Sequence, residues 1–106
     1  MNWTEELIES VWQHARVVLE ADPSVWRQDV CSAWIRRDQF DHEDSGFGWR
    51  IENVSGGGPD ISQNLRPFHV RNHFDVGSNT PHCHTTADRA GVPAGEYVSP
   101  PRNRSV

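Results

Sequence analysis

Residues 47–60 read FGWRIENVSGGGPD, and this stretch decides the fold. Trp49, Ile51 and Asn53 alternate with Arg50, Glu52 and Val54, which is a strand-like period of two. Residues 55–60 then contain three glycines and a proline, the composition of a tight turn. Residues 64–74 fit a loop that enters a short helix, with Pro67 near its first position. The sequence therefore predicts a strand, a glycine turn and a helix in this order.

A further helix is predicted near the N-terminus. Thr4 can cap it, and two glutamates occupy its first turn. Apolar side chains then recur at helical spacing and end before the Asp22-Pro23 pair, which does not continue a helix. The recurring positions are Ile8, Val11, Trp12, Ala15, Val18 and Leu19. Residues 77–106 show no period, so we expect an irregular, partly disordered extension after a domain of residues 1–76.

Composition limits the class of protein. A chain of 106 residues with 35% hydrophobic side chains suits one domain with a modest core. No apolar run approaches the roughly 18 residues that span a bilayer, so we expect no membrane partner. The two cysteines, Cys31 and Cys83, are too few for a disulfide framework. We therefore expect a cytoplasmic location.

The charge is unevenly distributed along the chain. The formal net charge is −5, and every basic side chain apart from histidine is arginine. Residues 1–60 hold five Arg against twelve acids, a balance of −7, whereas residues 61–106 hold five Arg against three acids, a balance of +2. The total charge counts against a general nucleic-acid binder. The basic second half keeps DNA open as a partner.

A strand and a helix joined by a turn can hold one divalent cation between them. Here the strand contributes Glu52 and the predicted helix contributes His73, with His69 one turn earlier on the same face. A carboxylate and an imidazole suit a transition metal or zinc, and a hard cation also tolerates them. Such an ion stabilises the leaving oxygen of a phosphodiester while a nearby base activates water.

The order of these segments resembles the HNH endonuclease-like proteins of bacteria and phages. Residues 22–40 have a similar Asp-Pro start and a Trp-Ile pair followed by basic residues. Residues 47–54 stand where that family has a Trp-x-Ile-Asp-His-Ile strand, and residues 64–69 stand where it has Asn-Leu-Gln-Pro-Leu-His. The resemblance covers about residues 7–76. It implies an α+β fold, a small HNH-like ββα-metal domain with an N-terminal helix.

The resemblance also implies a role for each matching position. The two metal ligands fall on Glu52 and His73, which would hold one Mg, Mn or Zn ion. The residue that orients the general base falls on Asn64. The general base itself falls on Asn53, and an amide cannot accept the proton. Any hydrolysis of DNA phosphodiesters is therefore expected to be weakened or lost.

Two functions remain open from the sequence. General-base catalysis contributes about 10²–10⁴ in rate, so the chain is at best a slow HNH-type phosphodiester hydrolase unless His69 or His42 replaces the base. The alternative is an inactive pseudo-nuclease whose acidic front half contacts a protein partner. In that case Glu52 is a surface acid and His73 is a helix-capping imidazole.

A second group of metal-capable side chains lies at His82-Cys83-His84. On an extended strand the two histidines share one face and the cysteine points to the other. A structural zinc site needs four ligands, and only Cys31 or His42 remains to complete one. We therefore expect ordinary loop histidines here.

Overall fold

The computed structural model describes residues 3–19, 21–88 and 101–106. Within these ranges the chain forms one α-helix and eight short strands, which join as four separate antiparallel pairs. The helix is α1 (Glu5–Trp12). The strand pairs are β1 (Trp26–Gln28) with β2 (Trp34–Arg36), β3 (Trp49–Asn53) with β4 (Leu65–His69), β5 (His73–Asp75) with β6 (Thr80–His82), and β7 (Thr85–Ala87) with β8 (Asn103–Ser105). Short 3-10 turns cover Arg37–Gln39 and Ser62–Asn64.

Helix α1 confirms the predicted start but ends seven residues before the last apolar position of the pattern. Thr4 caps it, because its Oγ1 accepts the N–H of Leu7 at 3.1 Å. Ala15 is still buried, but Val18 is only partly buried and Leu19 is 86% exposed, so the buried face does not continue to the end of the predicted pattern. No helix in the described ranges combines the length and the apolar character needed to cross a bilayer.

The end of α1 is set by the residues that follow it. Arg27 is buried, and its guanidinium donates to the carbonyls of Gln13 and Ala15. Arg16 then exchanges backbone hydrogen bonds with Gln28, at 2.8 and 3.0 Å. These backbone groups are therefore unavailable for another helical turn, and the chain leaves α1 as an extended segment beside β1.

The core lies between α1 and one face of the β3–β4 pair. Trp12 and Trp49 are buried, and their ring centroids lie 5.3 Å apart. Phe40 also packs edge-to-face on Trp49, with ring centroids 4.9 Å apart. The buried core residues are Ile8, Val11, Trp12, Ala15, Ile35, Trp49, Ile51 and Leu65. The predicted strand at residues 49–54 and the predicted core position of Trp12 are both confirmed.

The helix predicted within residues 64–74 is wrong, because this stretch forms β4 and then β5. Val70 donates its N–H to Gly48 O at 3.0 Å, and hydrogen-bonded pairs alternate from there along the hairpin. Ile51 and Pro67 then face each other as a non-hydrogen-bonded pair. Proline fits this position because its missing N–H would have pointed away from β3.

The predicted α+β class, a ββα-metal domain with an irregular tail, is therefore also wrong. The described chain is mainly β, and no helix follows the β3–β4 hairpin. From residue 77 onward the chain forms β6, β7 and β8 where the sequence predicted irregular structure. Residues 89–100 of that predicted extension lie outside the described ranges.

A buried polar pair joins the separate hairpins. The Asp29 carboxylate, 1% exposed, accepts hydrogen bonds from four donors. The donors are the N–H groups of Cys31, Ala33 and His69 and the side-chain amide of Asn72, all at 2.9–3.0 Å. Asn72 Oδ1 in turn accepts the N–H groups of His84 and Thr85. The pair therefore links the β1–β2 turn, the end of β4 and the start of β7.

The two cysteines form a disulfide, although the sequence analysis judged them too few for a disulfide framework. Cys31 lies in the β1–β2 turn and Cys83 lies between β6 and β7, with their Cα atoms 5.5 Å apart. The bond crosses 52 residues of sequence. It lies directly beside the buried polar pair, because the N–H of Cys31 is one of the donors to Asp29.

The substitution Asp29→Ala tests the importance of the buried polar pair. It leaves four buried donors without their acceptor, so we expect the free energy of unfolding to fall by about 3 kcal/mol or more. The control is Asp38→Ala, which removes an exposed carboxylate paired with Arg36 at 3.1 Å and should change stability by less than about 1 kcal/mol. Urea unfolding measures both. Equal effects of the two substitutions would contradict the assigned role of Asp29.

Candidate functional site

The predicted metal ligand Glu52 lies on β3, and both of its carboxylate oxygens are occupied. Oε2 accepts from Arg50 Nε at 3.0 Å, and Oε1 accepts the N–H of Phe74 at 2.7 Å. Arg50 also donates to the carbonyls of Val70 and Asn72. The charged pair therefore ties β5 and the turn before it to the β3–β4 hairpin.

Asn53 and Asn64 support the glycine turn. Asn53 Nδ2 donates to Gly58 O at 3.0 Å, and its Oδ1 accepts the N–H of Ser55 at 2.9 Å. The amides of both asparagines also converge on the carbonyl of Pro59, at 3.2 Å from Asn53 and 2.9 Å from Asn64. The position that resembles the general base of the endonucleases is thus used to hold a turn.

His69 is buried at the end of β4, with both ring nitrogens engaged. Nδ1 accepts the N–H of Arg71 at 3.1 Å, so the ring proton lies on Nε2 and is donated to Gly46 O at 2.7 Å. Burial lowers the pKa of this imidazole below its ordinary value, and the hydrogen bond to Gly46 offsets part of that shift. The side chain is therefore a neutral structural group in the described fold.

His69 also lies far from the position it would have to assist. It pairs with Trp49 at one end of the β3–β4 hairpin, whereas Asn53 pairs with Leu65 at the other end. Four residues of strand separate the two ends, which is roughly 13 Å. His69 is therefore badly placed to replace a general base at Asn53.

His73 belongs to a group of three histidine rings. It faces His82 across the β5–β6 pair, with ring centroids 4.9 Å apart, and it stacks with His84 at 5.9 Å. His82 Nε2 lies 3.4 Å from a carboxylate oxygen of Asp75. Among the residues that the structure describes, no group of three or more His, Cys, Asp or Glu side chains is arranged to hold a metal ion.

The predicted site residues therefore lie in separate places. Glu52 and His73 are on neighbouring strand pairs, Asn53 and Asn64 meet at the glycine turn, and His69 is at the far end of β4. Hydrogen bonds to backbone groups hold the side chains of Glu52, Asn53 and Asn64. These hydrogen bonds stabilise the hairpins.

A groove of about 380 Å³ offers a different candidate site. It lies between the segment after α1, the end of β1, the β3–β4 hairpin and the β5–β6 hairpin. Its floor is apolar and includes Ala15, Val30, Val54, Pro67, Phe68 and Phe74. Val30 is 55% exposed, so part of this apolar surface faces solvent.

The rim of this groove is basic. His14, Arg16 and Arg66 line it, and neither arginine forms an ion pair with any described residue. Arg16 donates to Ser32 Oγ at 2.8 Å, and Arg66 donates to the carbonyl of Leu65 at 2.7 Å. The buried Asp29 also lines the groove, but its oxygens already accept four hydrogen bonds.

No local pattern in the sequence predicts this groove. Its walls come from segments that are far apart along the chain and that meet only through the buried polar pair and the hairpin contacts. Val30 is the lining residue that an exposed apolar position could have indicated. Its side chain is exposed, although its neighbours Asp29 and Cys31 are buried.

The comparisons with known protein families, curated proteins and solved structures give no match to this chain. The geometry of the molecule is therefore the basis for a functional proposal.

The lowered pKa of His69 predicts a pH dependence of stability. The unfolded chain binds a proton that the buried ring binds poorly, so stability should fall as the pH falls below about 6.5, the pKa of an unperturbed imidazole. The slope is at most about 1.4 kcal/mol per pH unit for one group. Carboxyl groups titrate mainly at lower pH than imidazole groups do.

Urea unfolding between pH 7.5 and 5 measures this slope. We expect His69→Gln to reduce it, and Phe68→Leu, a non-titrating change at a neighbouring buried position, to keep it. A slope that is unchanged in His69→Gln would show that His69 is not the group responsible.

Proposed function

We propose that this chain is a non-cleaving, nuclease-like protein that acts by binding a segment of a protein partner in the groove on β4. The observation that carries the proposal is the groove itself, with an apolar floor and two arginines on its rim that lack an ion pair among the described residues. Ligand sites commonly combine an apolar surface with a few polar groups that fix orientation.

The chemistry of the partner follows from the groove. Its apolar floor favours an aliphatic or aromatic side chain, and burial of that side chain would provide most of the affinity. Its rim of Arg16, Arg66 and His14 favours carboxylates on either side of that anchor. The partner segment is therefore an apolar side chain flanked by acidic residues.

The loss of cleavage is supported by the contacts of the nuclease-like positions. Asn53 cannot act as a general base, and its amide holds the glycine turn. Glu52 already accepts from Arg50 and Phe74, so a metal ion would compete with existing hydrogen bonds for both of its oxygens. The resemblance to HNH endonucleases is thus proposed to extend to sequence order and not to catalysis.

The disulfide bears on the location of the protein. Disulfides persist mainly in oxidising compartments and are rare in the cytosol. The Cys31–Cys83 bond therefore counts against the cytoplasmic location that was predicted from the cysteine content.

Plasmid nicking tests the loss of cleavage. With Mg, Mn or Zn supplied, we expect no nicking by the wild-type protein and none by Asn53→His. The histidine would remove the amide that holds the turn while Glu52 stays engaged with Arg50 and Phe74. Nicking by the wild type would contradict the proposal and restore the endonuclease function. Nicking by Asn53→His alone would leave the wild type non-cleaving, but it would contradict the argument that the contacts of Glu52 prevent metal binding.

Selection from a displayed random-peptide library tests the groove. We expect enrichment of peptides in which an apolar residue is flanked by Asp or Glu. Val30→Asp puts a carboxylate on the exposed floor and should abolish their binding, because the charge repels the flanking acids. Val76→Asp is the matched control, since Val76 is 54% exposed and lies outside the groove lining, and it should bind as the wild type does.

Three results would contradict the protein-partner function. They are no enrichment, enrichment of basic peptides, and equal binding by Val30→Asp. A parallel measurement of duplex DNA affinity against salt concentration covers the remaining alternative. We expect little binding, whereas affinity that falls steeply with salt would indicate phosphate contacts and a DNA partner.

A further inference from the structure

A second cavity, of about 330 Å³, lies between the loop at Gly46 and Phe47, the end of β4 and the β7–β8 hairpin. We call it the arginine cavity, because its charged lining consists of Arg71, Arg102 and Arg104. Among the described residues no acidic side chain lines it. It shares no lining residue with the groove described above.

The three guanidinium groups have few partners among the residues that the structure describes. The ion pairs of the described residues use Arg36, Arg37 and Arg50 and none of the cavity arginines. Within the described ranges the Arg104 guanidinium contacts the carbonyl of Ser105 at 3.4 Å, and all three cavity arginines are exposed. Three like charges around one cavity repel one another, so a bound anion would relieve that repulsion.

The frame of the cavity is well fixed. Asn103 pairs with the backbone of Trp34 in both directions, because its Oδ1 accepts the N–H at 2.7 Å and its Nδ2 donates to the carbonyl at 3.0 Å. Thr85 Oγ1 donates to the carbonyl of Arg104 at 2.9 Å. These contacts hold the backbone of β8, so the arginines on either side of Asn103 start from defined positions.

The back wall of the cavity adds no charge. His69 lines it, and burial keeps that ring neutral, as its lowered pKa indicates. Phe47 also lines the cavity and is held edge-on against Trp26, with ring centroids 4.8 Å apart. The cavity therefore combines three cations with one apolar, aromatic surface.

We infer that the arginine cavity binds the phosphate group of a phosphorylated ligand whose organic part lies against Phe47. The planar guanidinium group binds phosphate oxygens through paired N–H donors, which makes arginine the usual residue for this task. The volume exceeds what a phosphate group alone needs, so a nucleotide-sized ligand suits the cavity. The inference does not depend on the partner proposed for the groove.

Calorimetry with the full chain tests the inference, using adenosine monophosphate, inorganic phosphate and adenosine as probes. We expect adenosine monophosphate to bind more tightly than inorganic phosphate, and adenosine to show no binding. Arg71→Gln and Arg104→Gln should each weaken binding of adenosine monophosphate roughly tenfold or more, since each removes charge-assisted hydrogen bonds. Both residues are exposed, so both variants should keep the wild-type thermal unfolding profile.

Arg66→Gln is the matched control, because it removes the same charge from the rim of the groove and should leave adenosine monophosphate binding unchanged. A single-stranded oligothymidylate probe identifies the source of the phosphate, since competition at lower concentration than adenosine monophosphate would indicate a nucleic-acid strand. The inference is overturned by absent binding of both phosphate probes, by adenosine binding as well as its monophosphate, or by equal weakening in Arg66→Gln.

Discussion

The buried hydrogen-bond pair of Asp29 and Asn72 is the contact on which the arrangement of the hairpins depends. Each described strand pair is only three to five residues long, and isolated two-stranded hairpins of this size are at best marginally stable in water. Burying a carboxylate is costly unless donors surround it, and here four donors do so, two from the β1–β2 turn and two from His69 and Asn72. The strand pairs are therefore joined by one buried group of hydrogen bonds and not by a continuous sheet.

This arrangement explains why the side chains at the nuclease-like positions are engaged in hydrogen bonds to the backbone. A fold with short strands has many backbone groups beyond its ladders, and side chains must satisfy them. Asn53, Asn64 and Asn103 pair with backbone carbonyls and N–H groups, and Glu52 accepts one from β5. Polar residues that could ligate or catalyse elsewhere are used here to complete hydrogen bonding.

Part of this fold could be predicted from the sequence, because some of its signals are local. The cap at Thr4, the alternation after Trp49 and the glycine turn each specify their own few residues, and all three are confirmed. The three-residue strands are shorter than the windows in which a period is recognisable. The stretch containing Pro67 suggested a helix start, and only its pairing partner on β3 shows that it is a strand.

The candidate sites could not be predicted, because their residues meet through distant contacts. Asn103 holds Trp34 across 69 residues of sequence, and Asn72 holds Asp29 across 43. No periodic pattern marks such residues. The basic balance of residues 61–106 indicated an anionic partner in general terms, but the place where Arg71, Arg102 and Arg104 gather depends on the β7–β8 pairing.

The Cys31–Cys83 bond has a consequence for how the molecule would respond to damage. It turns the intervening chain into a covalent ring that contains β2 through β6. A single break of the backbone anywhere in that ring leaves one molecule, with both new ends still tethered to the same disulfide. A protease that nicks the exposed turn at Gly56 would therefore not release a fragment until the disulfide is also reduced.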